Sequence, residues 1–282
     1  MVSPELVSEI LKDPDRLKLG GEKREITTLF SDIRGFTSLS EKLSPEELVA
    51  ILNEYLSPMT NIVLEEGGTL NKYIGDAIMV LCNAPLDLSD HPKKGCIIAL
   101  RWVKELEKLN EEWKKEGRPP LGIGVGINTG DAVIGNMGGD LRFEYTAIGD
   151  TVNLASRLEG MNKVYGTVII ATESTQKLVQ NDFLFRELDM VRVKGKERPV
   201  AIYELMDFLP GDAQRAGLAN AFSIGLSLYK ARSFGEAKKR FDAMLEKFPE
   251  DGPALLYSQR CRDYLQSPPP TDWDGVYVAK TK

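Results

Sequence analysis

Two apolar segments that each run into a carboxylate constrain this chain most. The first, EITTLFSDIRG, spans Glu25–Gly35 and strings together Ile26, Thr27, Thr28, Leu29 and Phe30 before reaching Asp32. β-Branched and aromatic residues in such a run predict a buried strand. The second, TLNKYIGDAIMVL, sets Asp76 between Gly75 and a fresh apolar run. Taken singly, each aspartate reads as a turn residue. As a pair after two strands they suit one or two hard cations held against a phosphate, because Mg²⁺ takes oxygen ligands and uses few protein carboxylates.

Composition removes several classes of function. A formal charge of −6 argues against a general nucleic-acid binder, which needs a basic footprint. No apolar run approaches the roughly 20 residues of a membrane-spanning helix. The charged opening, Met1 to Gly20, does not read as a signal peptide. Cys82, Cys96 and Cys261 lack CxxC spacing and read as buried thiols of a reducing cytosol. The single histidine, His91, precedes Pro92 and reads as a loop residue near a helix start, which makes histidine-based catalysis a poor fit.

Taken in order, Pro4 to Leu19 predicts an amphipathic lead-in helix that Gly20-Gly21 breaks before the first strand. Ser44-Pro45-Glu46-Glu47 is a capping box with proline at the first helical position, opening a helix to about Glu66. Its apolar face is Leu48, Ile51, Leu52, Tyr55 and Leu56, and Gly67-Gly68 ends it. Thr69–Ile74 and Ala77–Cys82 predict a hairpin turning at Gly75-Asp76, and a second long helix follows from Pro92 to Glu116. Leu121–Thr129 predicts a strand, with Gly130-Asp131 as a hairpin turn into Ala132–Asn136. Alternating Gly122, Gly124 and Gly126 predict another backbone lying close against one face. They are not a dinucleotide fingerprint, and no GxxxxGK[ST] occurs.

Phe143–Ile148 predicts a strand, followed by a helix capped by Asp150 and running to Tyr165. Asn153 and Arg157 share one face of that helix, as a phosphate clamp or as a surface pair that bonds to itself. Thr167–Ile170, Phe183–Val193 and Val200–Met206 predict further strands around a short helix, Glu173–Val179, with Lys194–Lys196 as a charged hairpin tip. This order predicts an α+β fold of ferredoxin-like type, a mostly antiparallel sheet with helices on one face. Pro210-Gly211 marks a boundary, and helices then run to Leu265. Tyr229, Phe234, Ala237, Phe241 and Pro249 fall at tetratricopeptide-like spacings. So short a repeat cannot bury a core by itself. A PPP tail with Trp273 follows, pinned by the indole.

FSDIRGFT, LNKYIGDAIM, GINTGDAVIGNMG, YTAIGDTVNLASRLE and VRVKGKERPVAIYEL together resemble the catalytic domain of class III adenylyl/guanylyl cyclases. The resemblance covers Arg24 to Leu205 and implies a catalytic domain over residues 24–208, an N-terminal linker over 1–23 and a helical extension over 211–282. It implies two divalent metal ions, Mg²⁺ or Mn²⁺, on Asp32, Asp76 and the carbonyl of Ile33. Asn153 matches the residue that orients the ribose, Arg157 the one that stabilises the pentavalent phosphate, and Lys194 the one that binds the terminal phosphates. Lys72 and Thr146 match the base-selecting pair. A lysine donates to adenine N1 and Thr146 accepts from the 6-amino group, whereas guanylyl members carry Glu and Cys or a similar pair. The implied substrate is therefore ATP and the product cyclic AMP.

The alternatives are a guanylyl cyclase, which Lys72 disfavours, and a silent cyclase-like module, which the retained aspartates and Asn/Arg pair disfavour. The resemblance also implies a homodimer with sites at the interface, and a cytoplasmic setting downstream of a sensor or membrane module. Thr146 replaces the more usual Asp, as in a subgroup that responds to bicarbonate.

Overall fold

The computed structural model describes residues 20–139, 142–192 and 198–278. The expected lead-in helix and the Lys194–Lys196 tip lie outside the described residues. Two compact units divide between Glu159 and Gly160.

In the first unit, β1 (Gly20–Ile33) is followed by α1 (Phe36–Ser40), α2 (Pro45–Glu65), β2 (Thr69–Ile74) and β3 (Ala77–Cys82). Then come α3 (His91–Lys115), β4 (Ile123–Gly139), β5 (Arg142–Ile148) and the start of α4 (Asp150–Tyr165). The strands pair antiparallel in the order β2-β3-β1-β4, with β5 on β4. The capping box opens α2 as expected: the Glu47 N–H donates to Ser44 Oγ and the Ser44 N–H to Glu47 Oε2. The buried stripe of α2 is Ile51, Tyr55, Met59, Ile62 and Val63, with Leu48, Leu52 and Leu56 at its half-buried margin.

The turn expected at Gly130-Asp131 does not form. β4 is one strand, and Gly130 and Asp131 pair with Ile26 and Glu25 in the middle of it. The reason is the length of its partner. Gly20 and Gly21 open β1, which pairs with β4 from Gly20↔Asn136 to Ile33↔Ile123. These glycines permit that contact, since a Cβ on Gly135 would sit 2.2 Å from the Gly20 carbonyl oxygen. A two-residue hairpin turn of type I′ needs positive φ, and neither Gly130 nor Asp131 has it.

Helices cover both faces of this sheet rather than one. Gly95 of α3 lies against Thr27 and Leu29, while Gly126, paired with Phe30, lies under α4. Odd and even residues of β1 point to opposite faces, so β1 is sandwiched, and Ile26, Thr27, Thr28 and Leu29 are all fully buried. Of the alternating glycines only Gly126 lies against another backbone as expected; Gly122 and Gly124 face the Arg34 side chain instead. A Cβ on Gly126 would lie 2.1 Å from the Ala155 carbonyl oxygen of α4, so only glycine admits the helix. His91 is not a loop residue. It is the first residue of α3, 6% exposed, with Nδ1 2.8 Å from Thr27 Oγ1, and burial lowers its pKa.

The second unit takes the end of α4, β6 (Ile169–Thr172), α5 (Glu173–Val179), β7 (Phe183–Arg192) and β8 (Val200–Phe208). It also takes the C-terminal helices α6 (Ala213–Lys230), α7 (Phe234–Leu245) and α8 (Gly252–Gln266) and the short β9 (Tyr277–Val278). β8 pairs antiparallel with β6 and β7, and β9 runs parallel along β7. The helices bury their aromatic faces together at Phe222, Tyr229, Phe241 and Tyr257. They are anchored on β7: Tyr257 Oη donates to the Leu188 carbonyl, Arg186 pairs with Asp251 at 2.8 Å, and Arg260 with Asp189 at 2.6 Å. The Trp273 indole packs edge-on against Tyr229 and Tyr264, and Arg232 donates to the carbonyls of Pro269, Pro270 and Thr271, so the tail is pinned. All three cysteines are buried free thiols.

Candidate active site

Register brings the two aspartates together. β3 pairs antiparallel with β1 through Ser31↔Ile78, and continuing that ladder outward sets Asp76 opposite Ile33. The Ile33 N–H donates to Asp76 Oδ2 at 3.2 Å. Gly75, at φ 65, supplies the left-handed residue that the β2–β3 turn needs. Burial, then hydrogen bonding to Asp32 and its charge, push the Asp76 carboxyl up to about 6. Two carboxylates at ~4 Å with an effective dielectric of ~20 repel by about 4 kcal/mol, which a cation between them reverses.

The lining suits a hydrated cation. Beside the aspartates, Tyr55 Oη and Ser31 Oγ are buried next to each other, with no partner of full hydrogen-bond geometry among the described residues. Burial raises the Tyr55 pKa, the neighbouring Ser31 hydroxyl lowers it, and the Asp32 and Asp76 charges raise it. Among the described residues no third His, Cys, Asp or Glu joins the pair. Two carboxylates and a backbone carbonyl make a sparse oxygen set of the kind Mg²⁺ shares with substrate phosphates, not a closed cage.

Asn153 and Arg157 stand on the outer side of α4, while Val152, Leu154, Ala155 and Leu158 are buried. The helix starts one residue earlier than a cap at Asp150 would give: the Asn153 N–H bonds to the Gly149 carbonyl, and Asp150 is already helical. Among the described residues neither the Asn153 nor the Arg157 side chain has a hydrogen-bond or ion-pair partner, so they are not a self-bonded surface pair. Lys194, the remaining predicted site residue, lies outside the described residues.

Lys72 and Thr146 meet through neighbours the sequence reading did not single out. Lys72 Nζ lies 2.6 Å from Glu144 Oε2. Asn71 Nδ2 donates to the Tyr145 carbonyl, and Thr146 Oγ1 donates to Asn71 Oδ1. Glu144 sits two residues before Thr146, and the period-2 rule was the signal for a shared strand face. Arg34 was also missed. Its guanidinium lies across Gly124, where a Cβ would fall 1.5 Å from Nη2, and it bonds Glu159 of α4 through Oε1 at 2.8 Å and the carbonyl at 3.0 Å. The end of β1 that carries Asp32 is thereby tied to the helix that carries Arg157.

Known proteins share this arrangement of sequence. The model of the adenylate and guanylate cyclase catalytic domain matches residues 21–207. Adenylate cyclase 1 of Rhizobium meliloti is 40% identical over 184 residues, 65% of this chain and 28% of that protein. An adenylate cyclase of Anabaena cylindrica is 41% identical over 191 residues, 64% of this chain and 37% of that protein. The chain thus spans well under half the length of these relatives. Among solved structures, the adenylyl cyclase CyaB from P. aeruginosa is 38% identical with a TM-score of 0.62, covering 67% of this chain and 97% of that one. The guanylyl cyclase Cya2 is 35% identical with a TM-score of 0.61, over 69% and 97%. With the match running unbroken through the aspartate turns, β4, β5 and α4, the chain belongs to the adenylate and guanylate cyclase catalytic domain family.

Proposed function

We propose that residues 24–208 form an adenylyl cyclase domain that converts ATP to 3′,5′-cyclic AMP and pyrophosphate by attack of the ribose 3′-hydroxyl on the α-phosphate. The observation that carries it is the Asp32–Asp76 pair, brought to one place by the β1–β3 register, where burial first and Asp32 second push the Asp76 carboxyl up to about 6. The relatives named adenylate cyclases at 40% and 41% identity support the same reading.

Asp32, Asp76 and the Ile33 carbonyl would hold two Mg²⁺ or Mn²⁺ ions, whose chemistry there would be to acidify the 3′-hydroxyl and to neutralise charge on the leaving pyrophosphate. Lys72 donates to adenine N1 and Thr146 accepts from the 6-amino group. Asn153 orients the ribose. Arg157 offers its planar donor fork to the α-phosphate oxygens as negative charge builds there. Lys194 binds the terminal phosphates. The catalytic unit is a two-fold homodimer, each site taking its aspartates from one protomer and its base, ribose and phosphate contacts from the other. Residues 211–282 serve as a structural extension anchored on β7.

Turnover of ATP and GTP with Mg²⁺ or Mn²⁺ tests this directly. The expected result is cyclic AMP from the wild type and none from Asp76→Ala. Predominant cyclic GMP overturns the base assignment, and no cyclic product at high protein concentration overturns the activity. Mixing Asp32→Ala with Arg157→Ala protein, each inactive alone, restores activity if the sites are shared. No recovery removes the dimeric site.

A further inference from the structure

Neighbouring residues of a strand point to opposite faces, yet Asn71 and Lys72 both reach β5: Asn71 touches Tyr145 and Thr146, and Lys72 touches Glu144. The cause is a β-bulge. The β2–β3 register passes from Leu70↔Val80 to Lys72↔Met79, leaving Asn71 as the extra residue. Bulges re-aim a side chain in this way.

The hydrogen bonds around Asn71 then settle where one proton goes. Asn71 Nδ2 lies 2.8 Å from the Tyr145 carbonyl oxygen. A carbonyl only accepts, so the amide nitrogen must face it. The amide oxygen is thereby turned to Thr146 Oγ1, 3.1 Å away, and it too only accepts. The single hydroxyl proton of Thr146 is therefore directed at Asn71, and Thr146 meets any base as an acceptor only. Lys72, anchored on Glu144, is a donor only. Together they present one donor and one acceptor, the complement of adenine's N1 and 6-amino group. Guanine presents the reverse, a 6-oxo acceptor and an N1–H donor. A threonine with a free rotor can serve either base by turning its hydroxyl.

We propose that Asn71 is the positioning residue that makes Thr146 selective, by taking up its hydroxyl proton and barring it from the 6-oxo group of guanine. The inference rests on the ATP reading above and adds to it the residue that converts an ambivalent hydroxyl into an adenine reader.

The experiment measures kcat/KM for ATP and for GTP in wild type, Asn71→Leu, Asn71→Asp, Thr146→Val and the Asn71→Leu/Thr146→Val double variant. Equilibrium competition between 3′-deoxyATP and 3′-deoxyGTP, which bind but cannot cyclise, gives the same ratio without turnover. In Asn71→Leu the ATP:GTP ratio falls by about tenfold, chiefly through a gain with GTP, because the hydroxyl is free to donate. Asn71→Asp retains an acceptor for the Thr146 proton and keeps the ratio. In the Thr146→Val background, Asn71→Leu changes the ratio no further. If the leucine variant does not fold, Asn71→Ser, polar but too short to reach Thr146, gives the same loss. An ATP-selective wild type whose ratio is unchanged in Asn71→Leu or Asn71→Ser overturns the proposal. So does an equal loss with both nucleotides, which is what a merely structural role gives. A wild type that prefers GTP, or binds neither analogue, overturns instead the ATP reading beneath it.

Discussion

Replacing Asp32 by asparagine abolishes the proposed activity yet is expected to stabilise the metal-free protein. In the folded state burial and then Asp32 push the Asp76 carboxyl up to about 6, from an ordinary value of 3.8. A carboxyl whose folded pKa lies above its unfolded value binds its proton more tightly when folded. Its contribution is thus full below about pH 4 and is lost as pH rises through about 6. A gap of about two units corresponds to roughly 3 kcal/mol, and since Asp76 is only partly buried, solvent screening brings this to about 1–2 kcal/mol. Asp32→Asn removes the hydrogen-bonded and charged contributions of Asp32 and leaves burial, so the variant recovers about 1 kcal/mol of this at pH 8 and almost none at pH 5. The assay is thermal unfolding in EDTA at both values. The variant melts a few degrees above wild type at pH 8, by about 2–4 °C, and level with it at pH 5. Adding Mg²⁺ raises the wild-type melting temperature by more than that of the variant. A variant that melts at or below wild type at pH 8 in EDTA, or that gains equally at both pH values, refutes the argument that the carboxylates repel.

Three further perturbations follow from the packing. Arg34→Ala and Glu159→Ala each cut the tie between β1 and α4, and are expected to lower kcat about tenfold with KM for ATP little changed. A double-mutant cycle returns a coupling of about 0.5–3 kcal/mol, and a coupling of zero removes the link. Asp189→Asn strips the charge facing Arg260, whose Nη2 already lacks a partner among the described residues, and weakens the acceptor for Tyr165 Oη at 2.7 Å. Denaturant titration is expected to show a loss of about 3–5 kcal/mol, and a loss under 1 kcal/mol contradicts the buried pair. Gly126→Ala drives a methyl against α4 backbone that has no rotamer to yield, with the Glu159 nitrogen also only 2.4 Å away. Hydrogen exchange in α4 accelerates, whereas Gly139→Ala, with nothing within 4 Å among the described residues, leaves it unchanged.

Local chemistry made most elements readable. The capping box predicted the start of α2 because its two hydrogen bonds lie within one turn. The β2–β3 hairpin was readable to the residue, since Gly75 can adopt the turn and the apolar runs on either side pair across it. Where the reading failed, a distant partner had overridden a local signal. Gly130-Asp131 has the composition of a turn, but Ile26 and Glu25 of β1 keep it extended. His91 sits beside a proline at a helix start, and only the contact with Thr27 draws it into the core.

The candidate site divides in the same way. The sequence alone determined which residues carry charge and donor chemistry: Asp32 and Asp76 are legible at strand ends and Asn153 and Arg157 on one helix face, whereas Lys72 and Thr146 were legible only through the resemblance to the cyclase family. Tertiary structure decided what those groups do to one another. The antiparallel register of β1 and β3 sets Asp76 against Ile33 and Asp32, and burial there, with Asp32 beside it, raises its pKa. Gly124 leaves the space through which Arg34 reaches Glu159. The bulge at Asn71 turns that amide onto Thr146. A sequence specifies side chains and their local periodicity. The direction of a single proton depends on which acceptors the folded chain brings within hydrogen-bond reach, and those acceptors lie on strands far apart in sequence.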